Sequence, residues 1–139
     1  MIVVDEYLAL QAFRGDLPPG VPEDELLLPT SRHWRILQAL HAGRGGQLSR
    51  LLSQLSETGR AAVRFPHPEM LQVLDPRPLL DDAAALAARF GNTGWLVAET
   101  LAAGRRYGSS LWFGEAANVG RLLRAAAREL GVRIHVAAP

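Results

Sequence analysis

The sequence predicts an α/β domain: a three-layer sandwich in which a four-stranded, mainly parallel sheet is flanked by helices. Three observations carry this expectation. The chain opens on a β-branched apolar run, Ile2–Val4, that delivers an acid, Asp5, to the point where a helical pattern begins. Its second half alternates short apolar runs with amphipathic stretches punctuated by glycine, the pattern of βα units and a parallel sheet. With 139 residues, 48% of them hydrophobic, and no linker, residues 1–139 suit one domain with an ordinary core.

Taken in order, Ile2–Val4 forms a short buried strand, and Glu6–Phe13 a helix with Leu8, Leu10 and Phe13 on one side, ended by Gly15. Residues 16–24 contain Leu17-Pro18-Pro19-Gly20 and Pro22, which cannot continue a helix. They are expected as a surface loop with Glu23, Asp24 and Glu25 at its end. Thr30 or Ser31 caps a helix over 32–41 whose apolar face is Trp34, Ile36, Leu37 and Leu40. Gly43, Gly45 and Gly46 break it. A second helix over 47–55, with Leu48, Leu51, Leu52 and Leu55 at helical spacing, completes a helical hairpin.

Phe65-Pro66-His67-Pro68 marks a rigid turn, after which 70–74 is the second strand, ended by Asp75-Pro76. Pro78 stands near the start of a helix over 79–90, where Asp81 and Asp82 favour the positive helix end. Residues 91–94 separate it from a helix over Trp95–Arg106. The third strand is Ser110–Phe113, then a long helix over 115–130 ended by Gly131, and the fourth strand over 132–136.

Composition narrows the chemistry. The absence of Cys excludes disulfides, a thiolate zinc site and a thiol nucleophile, and His33, His41, His67 and His135 have no ligand spacing. The apolar start stops at Val4 and no apolar run approaches the roughly 20 residues of a membrane span, so a cytoplasmic protein without membrane association is expected. Every basic residue is Arg, which with abundant Ala, Leu, Gly and Pro suggests a GC-rich bacterial genome. Arg matches phosphate bidentately, but a net charge of +1 cannot drive strong non-specific nucleic-acid binding without a local patch. There is no Ser-His-Asp order and no dinucleotide fingerprint; the glycines at 43–46 follow a helix rather than a strand.

The opening MIVVDEYLALQAFRGDLP resembles that of the PIN-domain family, small metal-dependent ribonucleases that include many bacterial toxins. In that family a similar strand ends in a catalytic Asp followed by Thr and Ser, where this chain has Asp5, Glu6 and Tyr7. The C-terminal half, LDDAAALAARFGNTGWLVAETLAAGRRYGSSLWFGEAANVGRLLRAAARELGVRIHV, resembles the family's closing order of helix, Gly-bounded turn, helix, strand ending in an acid, and final helix and strand.

The resemblance implies four acid positions. The first is Asp5, and the second falls near Trp34 or Arg35, which removes a carboxylate; Arg35, if it faced the crevice, would pair with Asp5. The third falls at Leu96 or Val97, with Glu99 the nearest acid, and the fourth at Glu115. Asp5, Glu99 and Glu115 would then gather around one crevice at the carboxyl ends of the strands as catalytic residues and ligands of a weakly held Mg²⁺ or Mn²⁺, a hard ion that activates water and offsets phosphodiester charge. The acidic loop and the 32–55 hairpin carry more large apolar residues than a thin layer over a small sheet needs, so a homodimer is expected, as the resemblance also implies, and the resemblance adds an antitoxin-like protein partner.

Other readings of these residues stand beside it. Asp5 is also a natural helix cap, Glu6 a solvated first-turn acid or a residue lining the site, and Glu115 a favourable charge at a helix start. Glu99 is either a site acid or an exposed point on an amphipathic helix. Arg121, Arg124 and Arg128 share a helix face, with Arg105 and Arg106 ending the preceding helix: a solvated face or an RNA-phosphate track. Trp34, flanked by Arg32 and Arg35, could stack a base or join a core or interface, whereas Trp95 and Trp112 suit the core. Two functions follow: a PIN-like module with an eroded acidic site that binds RNA or a protein partner with little or no catalysis, or a divergent Mg/Mn-dependent endoribonuclease of toxin type.

Overall fold

The computed structural model, which describes residues 1–44 and 46–137, is an α/β sandwich built on a five-stranded, all-parallel sheet. The strands are β1 (Ile2–Val4), β2 (Leu26–Leu28), β3 (Gln72–Val73), β4 (Ser110–Phe113) and β5 (Arg133–Val136), in the order β3-β2-β1-β4-β5. The helices are α1 (Glu6–Phe13), α2 (Thr30–Ala42), α3 (Gln47–Ser53), α4 (Glu57–Arg64), α5 (Leu80–Arg89), α6 (Trp95–Arg106) and α7 (Arg121–Leu130).

Strand alternation divides the core. In β1, Ile2 and Val4 join one buried cluster and Val3 the other; in β2, Leu26 and Leu28 oppose Leu27 in the same way. The first cluster packs α1 through α4 on one face with Leu8, Leu10, Phe13, Ile36, Leu48 and Val63. The second packs α5, α6 and α7 on the other with Leu79, Leu86, Leu101, Leu111 and Leu123. Burial on both faces explains why the inner strands are continuous apolar runs.

The chain first winds outward from β1 through β2 to β3, then returns to build β4 and β5 on β1's other side. The winding direction therefore reverses beside β1, and the crevice beyond the carboxyl ends of β1 and β4 is the sheet's topological switch point.

Several expectations are corrected. The sheet has five strands rather than four, because Leu26–Leu28, hidden behind the Pro-rich acidic loop, pairs parallel with β1. α4 is an additional helix, capped by Ser56, whose hydroxyl accepts from the Gly59 N–H at 3.1 Å. Neither Thr30 nor Ser31 caps α2: the N-cap is Pro29, and the Thr30 hydroxyl instead donates to the Leu74 carbonyl at 2.5 Å. The long final helix is broken: a 3-10 turn at Ala116–Asn118 precedes Gly120, whose φ of +79° no ordinary helical residue adopts, and only then does α7 begin. Gly131 ends α7 in the left-handed conformation, as expected. Gly45, one of the glycines expected to break α2, lies outside the described residues.

The apolar residues of the hairpin also find partners within the chain, since Ile36, Leu48, Leu52 and Leu55 are buried in the first core cluster. That removes most of the surplus on which expectation of a homodimer rested.

Close packing makes one helix sensitive to volume. A Cβ added at Gly104 of α6 would stand 2.9 Å from Leu111 Cδ2 and 3.1 Å from Val132 Cγ1. Gly104→Val is therefore expected to cost about 1–3 kcal/mol through overpacking, more than its gain in helix propensity returns. Thermal unfolding checks this; an unchanged or raised midpoint would contradict so close an approach of α6 to the sheet.

Candidate functional site

The carboxyl edge of the sheet brings together residues from four segments. Asp5 follows β1 directly and is the N-cap of α1, where its Oδ1 accepts from the Leu8 N–H at 2.9 Å. The Gly114 N–H, just beyond β4, lies 3.2 Å from each of its oxygens. Burial pushes the Asp5 carboxyl up to about 6, with the neighbouring Glu6 adding to the rise; the two backbone N–H groups and the charge of Arg32 act against it.

Glu6, the first residue of α1, is buried rather than solvated. Two arginines of α2 meet it: Arg32 Nη1 donates to Oε1 at 2.5 Å and Arg35 Nη1 to Oε2 at 2.8 Å. Arg32 is itself buried. Its Nε donates to Thr100 Oγ1 at 2.8 Å, and its guanidinium carbon lies 5.2 Å from the centre of the Phe113 ring. A buried cation is tolerated only when its charge and its donors are matched, and here a carboxylate, a hydroxyl and an aromatic face provide that. The expected partner of Arg35 is corrected accordingly, from Asp5 to Glu6.

Glu99, expected either as a site acid or as an exposed point, is fully buried on α6. Its Oε1 accepts from the Ser31 backbone N–H at 2.7 Å, in the first turn of α2. Because Pro29 has no side chain able to cap that helix, Glu99 supplies the capping carboxylate from a different element, at the end where the helix dipole favours negative charge. Its Oε2 is buried without a hydrogen-bond partner among the described residues.

Glu115, one residue beyond Gly114, is exposed and accepts from Gln47 Nε2 at 2.8 Å. Tyr7 sits against the same turn, for a Cβ on Gly114 would lie 2.7 Å from Tyr7 Cβ.

The structure thus places Asp5, Glu99 and Glu115 at the same edge of the sheet but gives each its own partners. Among the described residues, no group of three or more His, Asp or Glu side chains is placed to hold a metal ion. The donor set fits a hard divalent cation poorly: Asp5 is engaged by backbone N–H groups, Glu6 by two guanidinium groups and Glu99 Oε1 by the start of α2, which leaves Glu99 Oε2 as the one unpartnered oxygen of these three carboxylates.

The sequence reading passes over Thr100 and gives Arg32 and Glu6 other roles, beside Trp34 and in a first helical turn. A signal existed for Arg32 and Glu6. Arg32, Ile36 and Ala39 repeat at helical spacing, and so do Glu6, Ala9, Leu10 and Phe13, which puts each charge on the apolar face of its helix.

Around this crevice, two tryptophans are exposed. Trp34 of α2 is 59% exposed and Trp95 of α6 40%, the latter correcting its expected place in the core. They line one cleft of about 490 Å³ together with Thr30, Ser31, Arg35 and Leu96. Trp112 does pack on the first core cluster and stacks on His135 across the β4–β5 pair at 4.5 Å. Arg105, Arg106, Arg121, Arg124 and Arg128 are all exposed.

Fold and site together define a parallel α/β domain, covered by helices on both faces, whose switch-point crevice is closed by a carboxylate–arginine network. No protein-family model, no curated protein and no solved structure matches the chain. No helix among the described residues is long and apolar enough to cross a membrane.

Proposed function

We propose that the chain is a PIN-like module whose crevice holds arginine where a nuclease would hold metal, and that it binds RNA or a protein partner with little or no catalysis. The observation that carries this reading is the buried Glu6–Arg32 pair, which the half-exposed Arg35 joins from the rim. Two guanidinium charges beside Glu6 neutralise the carboxylate and repel a second cation, so the electrostatic reason for recruiting Mg²⁺ is gone. Asp5 is engaged as a cap, its oxygens facing the Leu8 and Gly114 N–H groups that a hard ion would have to share them with.

The second reading, a divergent Mg/Mn-dependent endoribonuclease neutralised by an antitoxin-like protein, draws on the placement of Asp5, Glu99 and Glu115 at one edge of the sheet. An RNA-cleavage assay with Mg²⁺ and Mn²⁺, on the wild type beside Asp5→Asn, separates the two. The binding module is expected to give no cleavage above background with either ion. Robust metal-dependent cleavage abolished by Asp5→Asn would establish the nuclease.

A further inference from the structure

The exposed side of α2 carries features that the ion-paired crevice does not explain. The cleft of about 490 Å³ that contains Trp34 and Trp95 is lined mainly by apolar surface, an environment suited to a planar ring. Exposed indoles are costly to leave in water, and they are the side chains best able to stack a heteroaromatic base. Ser31, which lines the same cleft, has an Oγ buried without a hydrogen-bond partner among the described residues. That hydroxyl lies just behind the cleft surface, an unsatisfied polar group beside an otherwise apolar wall.

A second cleft, of about 290 Å³, continues along the same helix and is lined by Arg35, Gln38, Ala39, Ala42, Arg44 and Leu48. Arg35 borders both clefts. Although one of its nitrogens donates to Glu6, its side chain is 43% exposed, so further donors of the guanidinium face solvent. Arg44 is exposed and forms no ion pair among the described residues. Aromatic surface therefore passes, within a few turns of α2, into a stretch with two arginines and a glutamine amide. The order suits one ligand chemistry: a flat base followed by phosphate, with guanidinium as the phosphate donor.

We propose that this groove binds a nucleotide unit, its base against Trp34 and Trp95 and its phosphate at Arg35 and Arg44. The site shares Arg35 with the crevice network but needs no catalysis from the crevice carboxylates, so loss of nucleotide binding and the appearance of RNA cleavage are separate results.

Tryptophan fluorescence of the full chain tests it, because two of the three tryptophans lie in the cleft. The probes are adenosine monophosphate, a short oligoadenylate and inorganic phosphate, each titrated into the wild type, Trp34→Ala and Arg44→Ala. Both replaced side chains are exposed, so the variants keep the fold, which circular dichroism verifies. Saturable quenching by a nucleotide, with a Kd on the order of 10–100 μM, is expected. It should be absent in Trp34→Ala, about tenfold weaker in Arg44→Ala, and absent with inorganic phosphate alone.

Saturation by the monophosphate identifies a free nucleotide as a sufficient ligand, and saturation by the oligoadenylate only identifies a unit within a strand. Absence of saturable quenching with both, or quenching that both variants retain, overturns the proposal. So does concentration-dependent self-association of the ligand-free chain that disappears in Trp34→Ala, which would assign the face to a second copy.

Discussion

Replacing Arg32 with Met is expected to destabilise the protein by about 3–5 kcal/mol, because it removes the buried cation and leaves the Glu6 carboxylate without its closest partner. Thr100 loses a donor in the same step, and Arg35, half-exposed at the other oxygen, can compensate only in part. In a chain of this size the loss corresponds to a fall of roughly 10–15 °C in Tm. Glu6→Gln combined with Arg32→Met should recover more than half of it, since the cost lies in isolating a charge rather than in losing an attraction. Thermal unfolding of the wild type, both single variants and the double variant measures the coupling. Additive effects would mean that Glu6 and Arg32 do not depend on each other.

The second large effect depends on pH. Burial raises the Asp5 carboxyl from its ordinary value of 3.8 to about 6 in the folded chain. Between those values the folded state holds a proton that the unfolded state has released, so unfolding becomes easier as pH rises. The stability associated with that proton is fully present below about pH 4 and is lost as pH rises through about 6. Asn at position 5 keeps an oxygen to accept from the Leu8 and Gly114 N–H groups and never acquires the buried charge. Asp5→Asn is therefore expected to match the wild type near pH 4 and to exceed it by as much as about 3 kcal/mol near pH 8. Urea unfolding across that range checks the trend. A difference that stays flat, or that favours the wild type at high pH, would show that the Asp5 charge is stabilised in place.

Much of the architecture is written in local patterns. Ile2–Val4 ending in Asp5, the helix Trp95–Arg106 and the strand Ser110–Phe113 stand where their periodicity and punctuation put them. The strand Leu26–Leu28 escaped because three leucines carry neither alternation nor β-branching, and their strand character comes from the neighbours that cover both faces. The break before α7 is likewise tertiary, set by the φ of Gly120 rather than by composition.

The candidate site was less legible. Asp5 could be singled out because it closes a strand, but its cap partners come from 109 residues away as well as from its own helix. Glu6 looked solvated because acids in a first helical turn are favoured anyway, and only the arrival of α2 shows that it is enclosed. Charge pairs formed across sequence separations of 26 and 29 residues leave no local trace beyond the position of Arg32 on an apolar face. Glu99 shows the same difficulty. Nothing near it in sequence announces that α2 lacks its own cap and takes one from α6.

In the proposed function the arginines of α2 stand in the crevice in place of a divalent cation. Calorimetric titration of the wild-type protein with Mn²⁺, a forgiving test ion for an oxygen site, examines that arrangement most directly. The network predicts no binding tighter than about 1 mM, since Glu6 is already neutralised, Asp5 is committed to backbone donors, and a single free oxygen on Glu99 makes no chelating site. Saturable binding of one Mn²⁺ per chain at about 10 μM or tighter, lost on Asp5→Asn, would contradict it.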